Sequence, residues 1–276
     1  NSVEFSADGS KVVSASAYFY VQIWGVESRE LLQTFKGHTN SAVAARFSPD
    51  GHTIVSCSSD ETIRLWNVNA GTEIITFKRD LGNIYDVNFS PDGKYIVAGL
   101  QDNTIRLWDV NSGIEIKQLL GHLGPVLSTQ FSHDGKMIVS SSIDKKICLW
   151  DVESGEMLKQ FEGHSDRVIC AKFSPDDKFI VSCSKDNTIR IWNIETRMEL
   201  NILNGHLDGV NDIKYFPDGR TIVSCSRDRT IRFWNVESGK EIQKLEGRHY
   251  MSYIDVSQDS STIAVSAFRK IEIWGL

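Results

Sequence analysis

Seven tryptophans divide the chain at an almost constant interval. Five of the intervals between them are 42 residues long and the last is 40; the residues are Trp24, Trp66, Trp108, Trp150, Trp192, Trp234 and Trp274. A period between about 20 and 50 residues is typical of a repeat architecture. We therefore interpret the 276 residues as seven copies of one structural unit.

Each unit contains four short β-rich runs separated by turn sequences. In the second unit the first run ends at Phe47, and the others cover 53–58, 62–66 and 73–77. The intervening Pro-Asp-Gly and Asn-Ala-Gly sequences supply the fixed φ of proline and the positive φ of glycine that tight turns need. No window of 11 or more residues keeps a helical spacing of apolar residues without meeting a turn signal. The sequence predicts an all-β fold of four-stranded antiparallel units.

A 42-residue unit of this kind cannot bury both faces of its sheet alone. Copies must stack on one another, and a closed ring leaves only short, protected edges. We therefore predict a single domain over residues 1–276, a seven-bladed β-propeller with one blade centred on each tryptophan. We label the strands of each blade a to d, and the face that carries the d–a loops and b–c turns the loop face.

The repeat phase predicts that the last blade is incomplete. Aligning Phe5 with Phe47 and Trp274 with Trp234 places the first residues in strand a of blade one and the last just after strand c of blade seven. Blade seven is thus expected to have three strands. Its exposed edge is a template for pairing with a segment outside these residues or with another chain.

Composition restricts the partners. Hydrophobic residues make up 41% of the chain and charged residues 24%, and no apolar run approaches the roughly 18 residues that a membrane span needs. A net charge of −6 disfavours a nucleic-acid backbone as partner, because that binding depends on Lys and Arg. Other proteins or peptides are the expected partners, and no membrane is expected.

The cysteines and histidines do not indicate a metal or cofactor site. Five cysteines form no CxxC pair, and three of them recur in the sequence Val-Ser-Cys-Ser, as a small core residue would. We interpret all five as reduced thiols of an intracellular protein, cytoplasmic or nuclear. We predict neither a metal nor a cofactor.

Two dipeptides recur at fixed places in the units. Gly-His stands at 37–38, 121–122, 163–164 and 205–206, and Trp-Asp at 108–109 and 150–151. Over essentially its whole length the chain resembles the WD-repeat family, although Asn replaces the Asp after three of the tryptophans. The resemblance implies a chain of hydrogen bonds through His, Ser, Asp and Trp that ties the d–a loop to the b–c turn and strand c. The implied network residues are His38, Ser56, Asp60 and Trp66; His122, Ser140, Asp144 and Trp150; His164, Ser182, Asp186 and Trp192; and His206, Ser224, Asp228 and Trp234.

The same Ser, His and Asp could also be interpreted as a hydrolase triad. An enzyme needs one strained site that excludes water, whereas this set occurs in four equivalent copies. Four copies indicate something that each blade needs for its structure. We predict no catalytic residue.

Three blades depart from the repeat. In blade three Arg79 falls within the position of Gly-His and Ala98 replaces the Ser, while Tyr18 in blade one and Phe268 in blade seven occupy the Asp position. Terminal repeats are commonly atypical because they lie where the two ends of the repeat array meet. Alternatively, the aromatic loops of blades one and seven, which include Tyr250, bind a partner, since rigid exposed aromatics are typical of binding hot spots. We predict the partner surface at these residues, including Arg79.

Four further residues are candidates for the same surface. Lys185 and Arg227 occupy one b–c turn position in adjacent blades and predict a small basic corner, although a solvated turn also explains them. Tyr85 and Asn211 begin strand a near the expected mouth of the central channel, where they could instead serve packing.

These features favour a non-catalytic scaffold for protein–protein interaction, as part of a larger protein or complex. One alternative is a propeller enzyme with a site in its channel, which would need a cluster of catalytic or metal-binding residues in one blade only. Another is a nucleic-acid reader that uses the basic corner, Arg167 and the aromatics. Steep salt dependence of binding would distinguish the reader from a protein-binding scaffold.

Overall fold

The computed structural model describes residues 2–77, 82–268 and 270–276. Within these ranges 27 strands form seven antiparallel sheets, each a meander of consecutive strands. The first four blades are β1 Val3–Phe5, β2 Lys11–Ala15, β3 Val21–Gly25 and β4 Leu31–Phe35; β5 Ala42–Phe47, β6 Thr53–Ser58, β7 Ile63–Asn67 and β8 Thr72–Thr76; β9 Ile84–Phe89, β10 Tyr95–Leu100, β11 Ile105–Asp109 and β12 Glu115–Leu119; and β13 Val126–Phe131, β14 Met137–Ser142, β15 Ile147–Asp151 and β16 Met157–Phe161.

The remaining blades continue the pattern until the last. They are β17 Val168–Phe173, β18 Phe179–Ser184, β19 Ile189–Asn193 and β20 Glu199–Leu203; β21 Val210–Tyr215, β22 Thr221–Ser226, β23 Thr230–Asn235 and β24 Glu241–Glu246; and β25 Met251–Val256, β26 Thr262–Ala267 and β27 Lys270–Gly275. The predicted fold class is confirmed: six sheets have four strands and the seventh has three.

The turns between strands a and b follow from local chemistry. In blade two the Ser48 hydroxyl donates to Asp50 Oδ1 at 2.6 Å, and the His52 amide donates to the same oxygen at 2.9 Å. Gly51 between them has a φ of 71°, a conformation that glycine adopts without steric cost. Such a turn reverses the chain within a few residues, so strands a and b become antiparallel neighbours.

The core lies between successive blades. Strand b is buried along almost its whole length, whereas strand d alternates half-buried and exposed residues at the outer rim and ends in a buried one. Phe77, just after strand d of blade two, packs edge-on against Trp108 of blade three with ring centroids 6.3 Å apart. Each blade thereby covers the face that its neighbour could not bury alone. Within the described residues, no helix has the length and apolarity that crossing a bilayer demands.

The ring closes between blades seven and one. The Phe5 amide donates to Asp255 Oδ2 at 2.8 Å, and Val3 and Phe5 pack in one apolar cluster with Ala264 and Ile271. These contacts join strand a of blade one to blade seven. We call the junction between these two blades the seam.

Candidate functional site

Four blades contain the same chain of side-chain hydrogen bonds. The tryptophan Nε1 donates to the serine Oγ at 2.8–2.9 Å, the serine Oγ lies 2.8 Å from His Nε2, and His Nδ1 lies 2.8–3.0 Å from the Asp Oδ2. The Asp also accepts the backbone N–H of the residue after the histidine, at 2.9 Å. The d–a loop, the b–c turn and strand c are therefore held together through one carboxylate in each of these blades.

The direction of the hydrogen bonds follows from the carboxylate, which only accepts. In blade two, Nδ1 of His38 must donate to Asp60, so Nε2 of the neutral ring accepts from Ser56, whose oxygen accepts from Trp66. Burial lowers the pKa of His38, against the attraction of Asp60. Burial raises the pKa of Asp60, but hydrogen bonds from Thr62, His38 and a backbone amide outweigh it and hold this pKa at about 2. A neutral ring beside an ionised carboxylate results.

The burial of the serine restricts what this set can do. Ser56 has no exposed surface, and its oxygen is occupied by both Trp66 and His38. A nucleophile must be reached by its substrate, and the same burial holds for Ser140, Ser182 and Ser224. The geometry connects loops; it does not present a reactive oxygen.

The other three blades lack the complete network. In blade three Ala98 removes the acceptor, and Trp108 Nε1 is buried without a hydrogen-bond partner among the described residues; Trp274 Nε1 of blade seven is in the same state. Trp24 of blade one keeps a 3.0 Å hydrogen bond to Ser14. Arg79, predicted to contribute to the partner surface, lies outside the described residues.

The aromatic loops of blades one and seven meet at the seam. Tyr18 and Phe268 are each 56% exposed and line the same cavity, and Tyr250 is 49% exposed. The Phe268 ring stacks on His249 at 5.6 Å and meets Tyr250 edge-on at 6.3 Å. We call these four residues the seam patch. Comparison of the repeats predicted three of them as partner-binding residues, and the stacking adds His249 from the same aromatic loop as Tyr250.

The cavity beside the seam patch extends along the unpaired edge of β27. Its volume is about 540 Å³, and its walls include Val12 and Trp24 of blade one and Ile271 and Ile273 of blade seven. Within the described residues β27 pairs only with β26. We call this cavity the seam groove. Between other pairs of neighbouring blades, strand d occupies the place that the seam groove has here.

The remaining predicted residues meet at the mouth of the central channel. Tyr85, Lys185, Asn211 and Arg227 line one cavity of about 270 Å³. Lys185 Nζ donates to Asn211 Oδ1, and the Asn211 amide donates to the Met251 carbonyl. The structure thus brings together four residues that the sequence placed in three different blades. The same cavity is lined by Arg167, which the sequence suggested only as part of a nucleic-acid surface.

One set of polar residues was missed by the sequence reasoning. Side chains on strand a accept a backbone N–H from strand a of the next blade: Glu4 from Phe47 at 2.7 Å, Asp86 from Thr129 at 3.1 Å, Gln130 from Phe173 at 2.9 Å, Asp212 from Ile254 at 3.0 Å and Asp255 from Phe5 at 2.8 Å. We call this set the channel clasp. Its only sequence signal is a polar residue inside an otherwise apolar strand a.

Ion pairs reinforce the channel clasp. Lys214 Nζ lies 2.7 Å from Asp255 Oδ1, and Arg46 Nη2 lies 3.4 Å from Asp86 Oδ1. Burial raises the pKa of Glu4 to about 7, although Arg46 acts to lower it. No group of three or more His, Cys, Asp or Glu in the described part of the chain is arranged to hold a metal ion.

Comparison with known families agrees with this geometry. A family model described as the WD domain, G-beta repeat, matches residues 29–67 and 197–235. A second model, described as the IFT122 first beta-propeller, matches residues 83–199. No curated protein matches the chain. Repeats and sheets together define a seven-bladed β-propeller. The chain therefore contains WD repeats, and it has the seven-bladed propeller form.

Proposed function

We propose that residues 1–276 form one propeller domain that acts as a non-catalytic scaffold and binds other proteins through its loop face. The seam patch carries this proposal. Aromatic side chains such as Tyr18 and Phe268 bury large areas at low entropic cost and are enriched in binding hot spots. They stand on a rigid ring of blades, which limits the ordering cost of association. The family matches support a role in protein interaction.

Affinity capture with paired variants tests the proposal. The binding variant combines Tyr18→Ala, Tyr250→Ala and Phe268→Ala. The matched control combines Ile114→Ala, Met198→Ala and Ile242→Ala, which remove three apolar side chains that are 58–64% exposed near the c–d turns, at the opposite ends of the blades. We expect the specific partners of the wild-type ring to be lost with the binding variant and kept with the control. The reverse pattern would place the binding surface on the opposite face.

The non-catalytic assignment has its own test. Ser182 should not react with a serine-directed fluorophosphonate, because its side chain is fully buried and hydrogen-bonded to both His164 and Trp192. A covalent adduct on Ser182 in the folded protein would contradict the assignment.

We further propose that an extended strand of a partner or of additional sequence pairs with β27 and fills the seam groove. The support comes from the other junctions. Strand β16 pairs with β15, and its Phe161 packs on Trp192 of the next blade with ring centroids 5.8 Å apart. At the seam, Trp24 lies in the equivalent place and lines the open groove.

A peptide copying residues 155–163 tests strand addition. We expect it to slow hydrogen exchange of alternate amides in β27, because an added antiparallel strand accepts every second N–H. The control peptide has the same sequence with serine in place of Phe161. Equal protection by both peptides, or protection by neither, would contradict the pairing.

The compartment is also a proposal. All five cysteines are buried and unpaired, and burial raises the pKa of Cys57 and Cys148 above the usual thiol range. Buried neutral thiols are inert and need no disulfide partner. We place the chain in the cytoplasm or nucleus, and location of a tagged chain by microscopy tests this.

A further inference from the structure

The loop-face mouth of the central channel carries more positive than negative charge. Five cations and two carboxylates line its cavity of about 270 Å³. The carboxylates lie deeper, where Asp86 pairs with Arg46 and Lys172 attracts Asp212. The three cations that remain are Arg167, Lys185 and Arg227. Within the part of the chain that the structure describes, none of them forms an ion pair with a carboxylate.

These three cations are held close together by backbone and side-chain contacts. The Lys185 amide donates to the Arg167 carbonyl at 3.1 Å, and the Arg227 amide donates to the Gly209 carbonyl at 3.1 Å. The side chain of Lys185 passes over Gly209. Any other residue there would place its Cβ 2.4 Å from Lys185 Cδ, so the contact requires glycine. The side chain of Lys185 therefore runs from blade five towards Asn211 of blade six, and Arg167 and Arg227 line the same cavity.

The hydrogen-bonded networks of blades five and six fix these loops. Lys185 immediately precedes Asp186, and Arg227 immediately precedes Asp228. Arg167 follows His164 by three residues on the same d–a loop. Asp186 and Asp228 lie on b–c turns, and each is hydrogen-bonded to a buried histidine. The backbone positions of the three cations are thus set by the scaffold before any ligand binds.

The electrostatics of Lys185 favour an anion at this place. Burial, followed by repulsion from Arg227 and Arg167, lowers the pKa of Lys185 to about 8, although Asp208 acts in the opposite direction. Like charges gathered without counterions are costly, and an anion between them would relieve the repulsion.

We propose that Arg167, Lys185 and Arg227 bind a phosphorylated side chain on an extended segment of a partner protein. A phosphoryl group carries a charge of about −1.5 to −2 and three acceptor oxygens, which suit three cationic side chains lining one cavity better than a carboxylate does. The cavity is smaller than the roughly 300–1,000 Å³ typical of sites for drug-sized ligands, so its occupant has the size of one side chain. The proposal rests on the scaffold function, and it names the chemistry of one contact on the loop face.

Inorganic phosphate is the first probe. In protein labelled with ¹³C-lysine, the Lys185 resonance is assigned by its absence in Lys185→Gln. Replacing chloride with phosphate at constant ionic strength should raise the pKa of Lys185, because a bound anion stabilises its ammonium group. Arg167→Gln and Arg227→Gln should each weaken phosphate binding by about tenfold or more. Lys136→Gln is the matched control, since Lys136 is 80% exposed in an a–b turn and loses the same charge.

Peptides then identify the ligand. Three fluorescein-labelled peptides of the form Gly-Ala-Ala-X-Ala-Ala-Gly carry phosphoserine, serine or glutamate at X. We expect the phosphoserine peptide to bind about tenfold or more tightly than either of the others, and to lose this advantage in Arg227→Gln. Equal binding of the glutamate peptide, or no effect of phosphate on Lys185, would overturn the proposal. Tighter binding of a single-stranded oligodeoxythymidine would overturn it in favour of nucleic acid.

The outcome is separable from that of the scaffold proposal. If phosphate and the phosphoserine peptide fail to bind while capture still depends on the seam patch, only the anion site is refuted. If both the seam variants and the channel-mouth variants capture the same partners as the wild type, the loop face is not the partner surface.

Discussion

Removing one buried hydroxyl group should measure how much the four-residue network stabilises a blade. Ser56→Ala deletes two hydrogen bonds of 2.8 Å, one to His38 Nε2 and one from Trp66 Nε1. Both rings are almost fully buried, so water cannot replace the lost oxygen. A buried polar group without a partner costs about 1–3 kcal/mol, and two such groups should lower the free energy of unfolding by about 2–6 kcal/mol.

Blade three allows the reciprocal experiment. Ala98 occupies the same register as Ser56, since it pairs with Arg106 as Ser56 pairs with Arg64. Ala98→Ser would place an acceptor beside Trp108 Nε1, which has no partner among the described residues. Its own hydroxyl could donate to the Arg106 carbonyl, since Ser140 Oγ lies 3.4 Å from the equivalent carbonyl oxygen of Cys148. We expect a gain of about 0.5–1.5 kcal/mol, the usual net value of one hydrogen bond.

Urea unfolding at constant m-value measures both changes. The control is Trp108→Phe, which removes the indole N–H, so that Ala98→Ser should give no gain in that background. The reasoning is refuted if Ser56→Ala costs less than about 0.5 kcal/mol, the range of ordinary surface substitutions. It is also refuted if Ala98→Ser has the same effect with and without the indole N–H.

Two further predictions concern the channel clasp. Asp255→Ala should lower stability by about 1.5–3 kcal/mol and speed hydrogen exchange of the Phe5 amide, because it removes the charged acceptor of that amide and the partner of the half-buried Lys214. Gln130→Ala, a neutral member of the clasp, should cost about 0.5–1.5 kcal/mol, and an equal cost would contradict the role of the ion pair. The folded-state pKa of Glu4, about 7, exceeds its unfolded value of 4.5, so its contribution to stability is complete below about pH 4.5 and is lost as the pH rises through 7. Glu4→Gln should therefore become more stable relative to wild type across that interval, by as much as about 3 kcal/mol, and a difference independent of pH in urea titrations would show that Glu4 is not buried as described.

The sequence predicted the ring because the residues that build it repeat. A tryptophan on every strand c and a turn signal between every pair of strands recur with the 42-residue period, so the number of blades and the missing strand of blade seven followed directly. Both depend on local sequence and on the need of each blade to cover its neighbour. Neither requires knowledge of a contact between distant residues.

The channel clasp could not be predicted in the same way. Its members are Glu4, Asp86, Gln130, Asp212 and Asp255, which share neither residue type nor one strand position. Their partners are backbone amides, which leave no mark in the sequence. The stack of His249 on Phe268 was hidden for a related reason, because it depends on how two loops of one blade approach each other.

The two candidate binding surfaces use the scaffold in opposite ways. The seam patch stands in blades whose loops lack the complete network, so aromatic side chains occupy a position that the other blades use for an aspartate. Arg167 and Lys185, in contrast, flank an intact network, and His164 fixes both of their loops through Asp186. Since pre-organised donors lose less entropy on binding, a small anion needs the fixed loops. An apolar partner surface, in contrast, does not require loops that are fixed in this way. If both proposals hold, the blades without the network provide adaptable recognition at the seam, and the blades that keep it provide geometrically strict recognition at the channel mouth.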